Sequence, residues 1–323
     1  MIFWLAQRLV QASFVVLAMT VIVFIGVSVI GDPVAILISP DAGPDERERL
    51  ISALYLDRPL WEQYFIFLKG VLSGDLGISF VYSEPALGLI LTRMPATLEL
   101  AFAALLLSIA IGVPLGLYCG LYPDTILAKT IMTASIVGFS LPTFWLGLML
   151  VLVFSIHLGW LPSNGRGDTA ELFGIQWSFL TGNGLRHLIL PALTLSLFKI
   201  ALVLRLVRAG VREILPLEYI RFARAKGLAP RRIVSVHVLK NLMIPVVTVV
   251  GIELGTTIAF SVVTETIFGW PGMGKLIIDS INSLDRPVMV AYLIIIVLLF
   301  TAINVIVDLL YFLLDPRVRV GAD

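Results

Sequence analysis

"ATLELAFAALLLSIAIGVPLGLYC" fills residues 96–119. Its apolar residues run on continuously, without the period-two alternation that marks a barrel strand. About 20 mostly apolar residues are what a helix needs to cross a hydrocarbon core. Inside lipid each backbone amide must find a partner within its own segment, which a helix provides. Five more runs of the same kind lie at 9–30, 131–156, 187–207, 242–265 and 288–313. The expectation is an all-α membrane protein with six transmembrane helices.

Composition agrees. Of 323 residues, 59% are hydrophobic and only 14% are charged, and the mean hydropathy is +0.99. A soluble domain carries roughly 25% charge, so ionic groups here are too few to coat a water-facing surface. The single cysteine, Cys119, excludes an intrachain disulfide and a multi-thiolate metal site. The first apolar run is too long for the core of a cleavable signal, and no small-residue cleavage site follows it. Residues 1–30 are therefore read as an N-terminal segment with the first span.

An even number of spans puts both termini on one side. If that side is cytoplasmic, the inner segments hold fourteen basic residues, ten of them between Lys199 and Lys240, and the outer segments hold nine. The outer nine are spread over longer loops and mixed with acids such as Asp45, Glu46 and Glu48. The positive-inside bias places both termini in the cytoplasm. Residues 31–95 are then extracytoplasmic, and 56–77 carries Leu60, Tyr64, Phe65, Leu68 and Leu72 at helical spacing. Two readings stand for that stretch: an amphipathic helix on the outer interface, or an ordinary packed loop helix.

On the inner side, "EYIRFARAKGLAPRR" at 218–232 crowds Arg221, Arg224, Lys226, Arg231 and Arg232 around Ala223, Ala225 and Gly227. Pro216 suits a first helical turn, while Gly227 and Pro230 suit its end. A short helix over about 216–226 follows. Ala223 and Gly227, four apart, share a face, and a face without bulk admits a close partner. Charge alone also fits plain topology enforcement or phospholipid contact.

The sequence from 218 to 245, "EYIRFARAKGLAPRRIVSVHVLKNLMIP", resembles the cytoplasmic "EAA" loop of ABC-transporter permeases in the dipeptide, oligopeptide and nickel group. Further matches run along the whole chain: "GDP" at 31–33, "LDRPLWEQY" at 56–64, "GDLGIS" at 74–79, "ATLELA" at 96–101 and "LPTFWLGLMLVLVFS" at 141–155. "GWLPSNG" at 159–165, "HLILPALTL" at 187–195, "ETIFGWPGMGKLIIDSI" at 265–281 and "DLLYFLLDPRVR" at 308–319 continue it. The resemblance implies a type I ABC importer permease in a bacterial inner membrane, with a core domain at 96–317 and a coupling loop at 208–241. Within that loop Tyr219, Arg221, Ala223, Arg224, Ala225, Lys226 and Gly227 would meet an ATPase subunit, the small residues making the socket contact. Implied partners are a second homologous permease, two ATP-binding subunits, an extracytoplasmic solute-binding protein and the bilayer, with no nucleic acid. The chain itself would be no enzyme and hold no cofactor, since ATP and magnesium belong to the partner subunits.

Some patterns are refused. "GWPGMGKL" at 269–276 fits seven positions of a phosphate-binding loop, but Leu276 stands where a magnesium-ligating hydroxyl is required. His157, His187 and His237 have no metal-ligand spacing. Gly112, Gly116 and Gly120 read as close helix packing, and Pro245 as the kink or start of the fifth span.

Charges inside hydrocarbon are costly and usually mark function. Lys199 lies twelve residues past His187 and Glu253 eleven past Leu242, which at ~1.5 Å per residue places both roughly 16–18 Å from a span end. The related permeases usually have Gln at the second position and an uncharged residue at the first. Lys199 and Glu253 are read as a salt bridge beside the translocation path, or as contacts to a charged substrate, or as charges that snorkel to water. Phe260 narrows the path in this reading, Glu265 serves the outer gate, and Asp308 caps or pairs near the inner boundary. Tyr55 replaces the usual Gly of "LGLD". The cargo expected is a dipeptide, oligopeptide or peptide-like solute. Nickel or a metal chelate, glutathione and an oligosaccharide are alternatives on the same machine, and an ion-driven secondary transporter or a scaffold without transport is the rival class.

Overall fold

The computed structural model describes residues 2–29, 34, 38, 43–53 and 55–314. The "GDP" at 31–33, Arg317, Arg319 and the end of the 308–319 motif lie outside them. The chain divides into two compact units, residues 1–95 with 272–302, and residues 96–271 with 303–323.

The first unit contains α1 (Ile2–Val29), α2 (Pro44–Ala53) and α3 (Leu60–Ser73). Tyr64 of α3 bonds Thr20 of α1 at 3.0 Å, and Phe24 packs its ring against Tyr64 and Phe67. Gly74 ends α3 in the left-handed region, φ 76°, so that its amide reaches back to the carbonyls of Gly70 and Val71. Leu60, Phe65 and Leu72 remain exposed. The unit also holds α10 (Met273–Asn282) and the helical residues 86–95 and 286–302.

The second unit is built on three long helices: α4 (Ala86–Leu121), α7 (Gly182–Ile214) and α9, which runs Pro230–Ile267. The end of α11 (Arg286–Leu314) joins them. A Cβ on Gly112, Gly116 or Gly120 would come within 2.9, 2.7 and 2.6 Å of Val203, Val207 and Val211 respectively. One glycine stripe on α4 thus lies against one valine stripe on α7, each with a four-residue period, and the expected close packing is met. In α9 Pro245 is accommodated within the helix, which starts earlier than the expected 242 and passes through a π-helical stretch, Ile233–Val238.

The third expected span, 131–156, is not one helix. α5 (Ile126–Ser140) and α6 (Thr143–Leu150, continued by π-helical Val151–His157) meet at an angle of 106°. Pro142 clashes with a helical residue before it, and Leu141 is accordingly extended at φ −80°, ψ 132°. Among the described residues four helices, α4, α7, α9 and α11, are long and apolar enough to cross a membrane, and the bent pair makes up to five. The apolar stretch described in α1 is the shorter Val10–Gly26.

A small hairpin precedes α7. Ala170–Leu172 (β1) pairs antiparallel with Ile175–Trp177 (β2) through a turn at Phe173 and Gly174, both at positive φ.

Candidate functional site

Lys199 on α7 and Glu253 on α9 face each other within the second unit. Lys199 Nζ donates to Glu253 Oε2 at 2.6 Å. Thr256, one turn along α9, donates to the same oxygen at 3.0 Å, and Thr257 donates to the Glu253 carbonyl. The pair borders a cleft of about 380 Å³ whose walls include Thr143, Phe198 and Phe260. Lys199 is nearly enclosed, its side chain 9% exposed, and Glu253 opens further, at 22%. Insertion of either charge alone into hydrocarbon costs ~2.5–3.5 kcal/mol, and each cancels the other's field. Phe260 is 74% exposed. The result is one cationic and one anionic group at one depth, flanked by aromatic surface.

Glu265 does not share this cleft. It is fully buried and accepts bonds from Thr97 at 2.8 Å and Ser261 at 2.9 Å, which ties α9 to α4. Glu265, read from the sequence as serving the outer gate, stands in the structure where it joins these two helices. Asp308 sits on α11 and has a partner of its own.

A second buried carboxylate escaped the sequence reading. Glu99 on α4 takes Ser178 N, Ser178 Oγ and Phe179 N on Oε1, each at 2.8 Å. Its Oε2 takes both Nε and Nη2 of Arg166, at 3.0 and 2.6 Å. Arg166 also reaches the Gln176 carbonyl and lies 5.9 Å from the Trp270 ring centroid, while the Trp270 indole donates to the Ala96 carbonyl. One side chain therefore holds the loop before α7 onto α4. In the first unit Asp285 plays a comparable part, accepting from Ser79 Oγ and from the amides of Phe80 and Val81.

The loop at 208–241 contains α8 (Glu218–Ala225). Gly227, at φ 75°, closes it, with Leu228 N bonded to the Ala223 carbonyl. Ala223 is 5% exposed and packs with Ile220, Ile233, Val238 and Leu242 in the chain's own core. The socket contact expected of Ala223 is thereby corrected. Ala223 follows Ile220 by three residues and so falls on the stripe that anchors α8 to its own bundle. The outward face carries Tyr219, Arg221, Phe222, Arg224, Ala225 and Lys226. Phe222, 61% exposed, lies under the Lys226 ammonium at 4.4 Å.

Lys275 of the refused phosphate-loop pattern pairs with Asp279 inside α10. His157 and His187 each donate through Nδ1 to a backbone carbonyl of their own helix.

Long apolar helices, an ion pair between two of them and a short helix with a basic, aromatic face are the features of a multi-span membrane protein. The chain belongs to the family described as "Binding-protein-dependent transport system inner membrane component", whose profile covers residues 112–320, and the matching N-terminal family covers residues 1–101. It is 40% identical over 304 residues to the "Di/tripeptide transport system permease protein DppB" of Pseudomonas aeruginosa, with 90% of each chain covered. It is 39% identical to the "Probable D,D-dipeptide transport system permease protein DdpB" of Escherichia coli, with 99% of each covered. In fold it is similar to the solved "Inward facing conformations of the MetNI methionine ABC transporter", at a TM-score of 0.56 and 20% identity, covering 70% of this chain and 96% of that one. Membership of this family places the chain in an inner membrane as a multi-pass protein.

Proposed function

We propose that this chain is the permease subunit of an ATP-driven, binding-protein-dependent importer of dipeptides or similar short peptides. The observation that carries this is its match to peptide permeases over 90% or more of both chains. Six spans with both termini cytoplasmic, the α5–α6 pair serving as one broken span, complete the topology. Residues 96–317 form the transport core and 31–95 the extracytoplasmic region.

In this reading α8 docks on an ATPase subunit through Tyr219, Arg221, Phe222, Arg224, Ala225 and Lys226, with Gly227 setting its end. Hydrolysis lies on two partner subunits, and a second homologous permease supplies the other wall of the path. Lys199, Glu253 and Phe260 line this chain's share. Exposed Phe222 beside basic residues supports the docking role, since aromatic and arginine side chains dominate interface energetics. Purification of the tagged chain from its native membrane tests the assembly. Recovery of two ATP-binding chains and one homologous permease supports it, and a chain recovered alone in mild detergent contradicts it.

A further inference from the structure

The Lys199–Glu253 pair is only half used. A lysine ammonium has three donors and a carboxylate two acceptor oxygens. Lys199 spends one donor, on Glu253 Oε2, and Thr256 reaches that same oxygen. Among the described residues Glu253 Oε1 accepts no bond, and two Lys199 donors find no protein partner. Both groups border the cleft. A pair kept solely for stability gains little by this, because buried ion pairs are often replaceable by apolar residues without loss.

We infer that Lys199 and Glu253 form an exchangeable ion pair that binds the two ends of a zwitterionic peptide, the carboxylate on Lys199 and the ammonium on Glu253. This rests on the peptide-importer reading and names the chemistry that the path recognises. Exchange turns one ion pair into two and leaves the membrane interior neutral throughout. A dipeptide extends at most ~7 Å, and a cleft of about 380 Å³ falls within the usual range for small-molecule pockets, ≈ 300–1,000 Å³. Phe198 and Phe260 give apolar surface to its side chains. A bare metal cation would meet the Lys199 ammonium, and an oligosaccharide has no charge for either group.

The test uses the whole transporter and three labelled probes: dialanine, its C-terminal amide and its N-acetyl form. Uptake of each is normalised to binding-protein occupancy, so a change of ratio between variants reports the permease alone. Lys199→Met lowers the preference for dialanine over the amide by about tenfold, the effect of one charge-assisted bond, and leaves the preference over the acetylated form. Glu253→Gln does the reverse. Should either variant fail to assemble, Lys199→Met/Glu253→Gln strands no charge and loses both preferences together. Ratios equal to wild type in all variants, whatever the absolute rates, overturn the inference. A wild-type transporter that imports no peptide overturns instead the function on which it rests.

Discussion

Phe222 and Ala223 are adjacent on α8 yet belong to different surfaces: Phe222 stands in the open, and Ala223 is buried beside Ile220 and Leu242. The division separates the contact that holds α8 to its own bundle from the face proposed to meet an ATPase subunit. Phe222→Asp is expected to leave the amount of folded chain unchanged and to cut ATP-driven uptake by about tenfold or more, as loss of an aromatic anchor does. Ala223→Trp is expected to lower the folded chain itself, read by size-exclusion profile, because overpacking costs ~1–3 kcal/mol. Equal uptake in Phe222→Asp and wild type would remove the docking role.

Glu99 anchors residues 166–179 through five bonds. Arg166→Ala leaves a carboxylate with little solvent, and removing one partner of a buried pair costs ~3–5 kcal/mol. The expected result is a lower melting temperature in detergent. Glu99→Gln/Arg166→Met, which strands no charge, is expected to recover more than half of the loss. A melting temperature unmoved by Arg166→Ala counts against the anchor.

Asp285 fastens the 79–82 turn in the first unit. Asp285→Ala is expected to speed hydrogen exchange at the Phe80 and Val81 amides while α10 stays protected. Unchanged exchange at those two amides would show that the turn holds without it.

Close helix packing gives a further check at Gly251 of α9, where an added Cβ would lie 2.5 Å from a Val307 methyl. Gly251→Ala is expected to destabilise the protein by ~1–3 kcal/mol, and Val307→Ala in the same chain to relieve most of it. No relief from the second substitution would mean that the two helices meet elsewhere.

The long spans were legible because apolar runs of this length have few other homes. The Lys199–Glu253 pair was legible too, from two opposite charges at one depth on consecutive spans. The break at Leu141 was marked by Pro142, but membrane helices often absorb a proline, as α7 does at Pro191 and α9 at Pro245. Which way Ala223 points depends on the side of α8 that meets the bundle, and Ile220 was its only local sign. Glu99 was hidden for another reason. Its partners come from 67 to 80 residues away, a separation at which a single sequence holds no pairing signal.

ATP-driven accumulation of dialanine reports most directly on peptide import. Proteoliposomes would hold this chain, its partner permease and two ATP-binding subunits, with peptide-loaded binding protein outside. The expected result is internal dialanine above its external concentration with ATP and none above background with a non-hydrolysable analogue. Accumulation by this chain alone, driven by a proton or sodium gradient without the ATP-binding subunits, would contradict it.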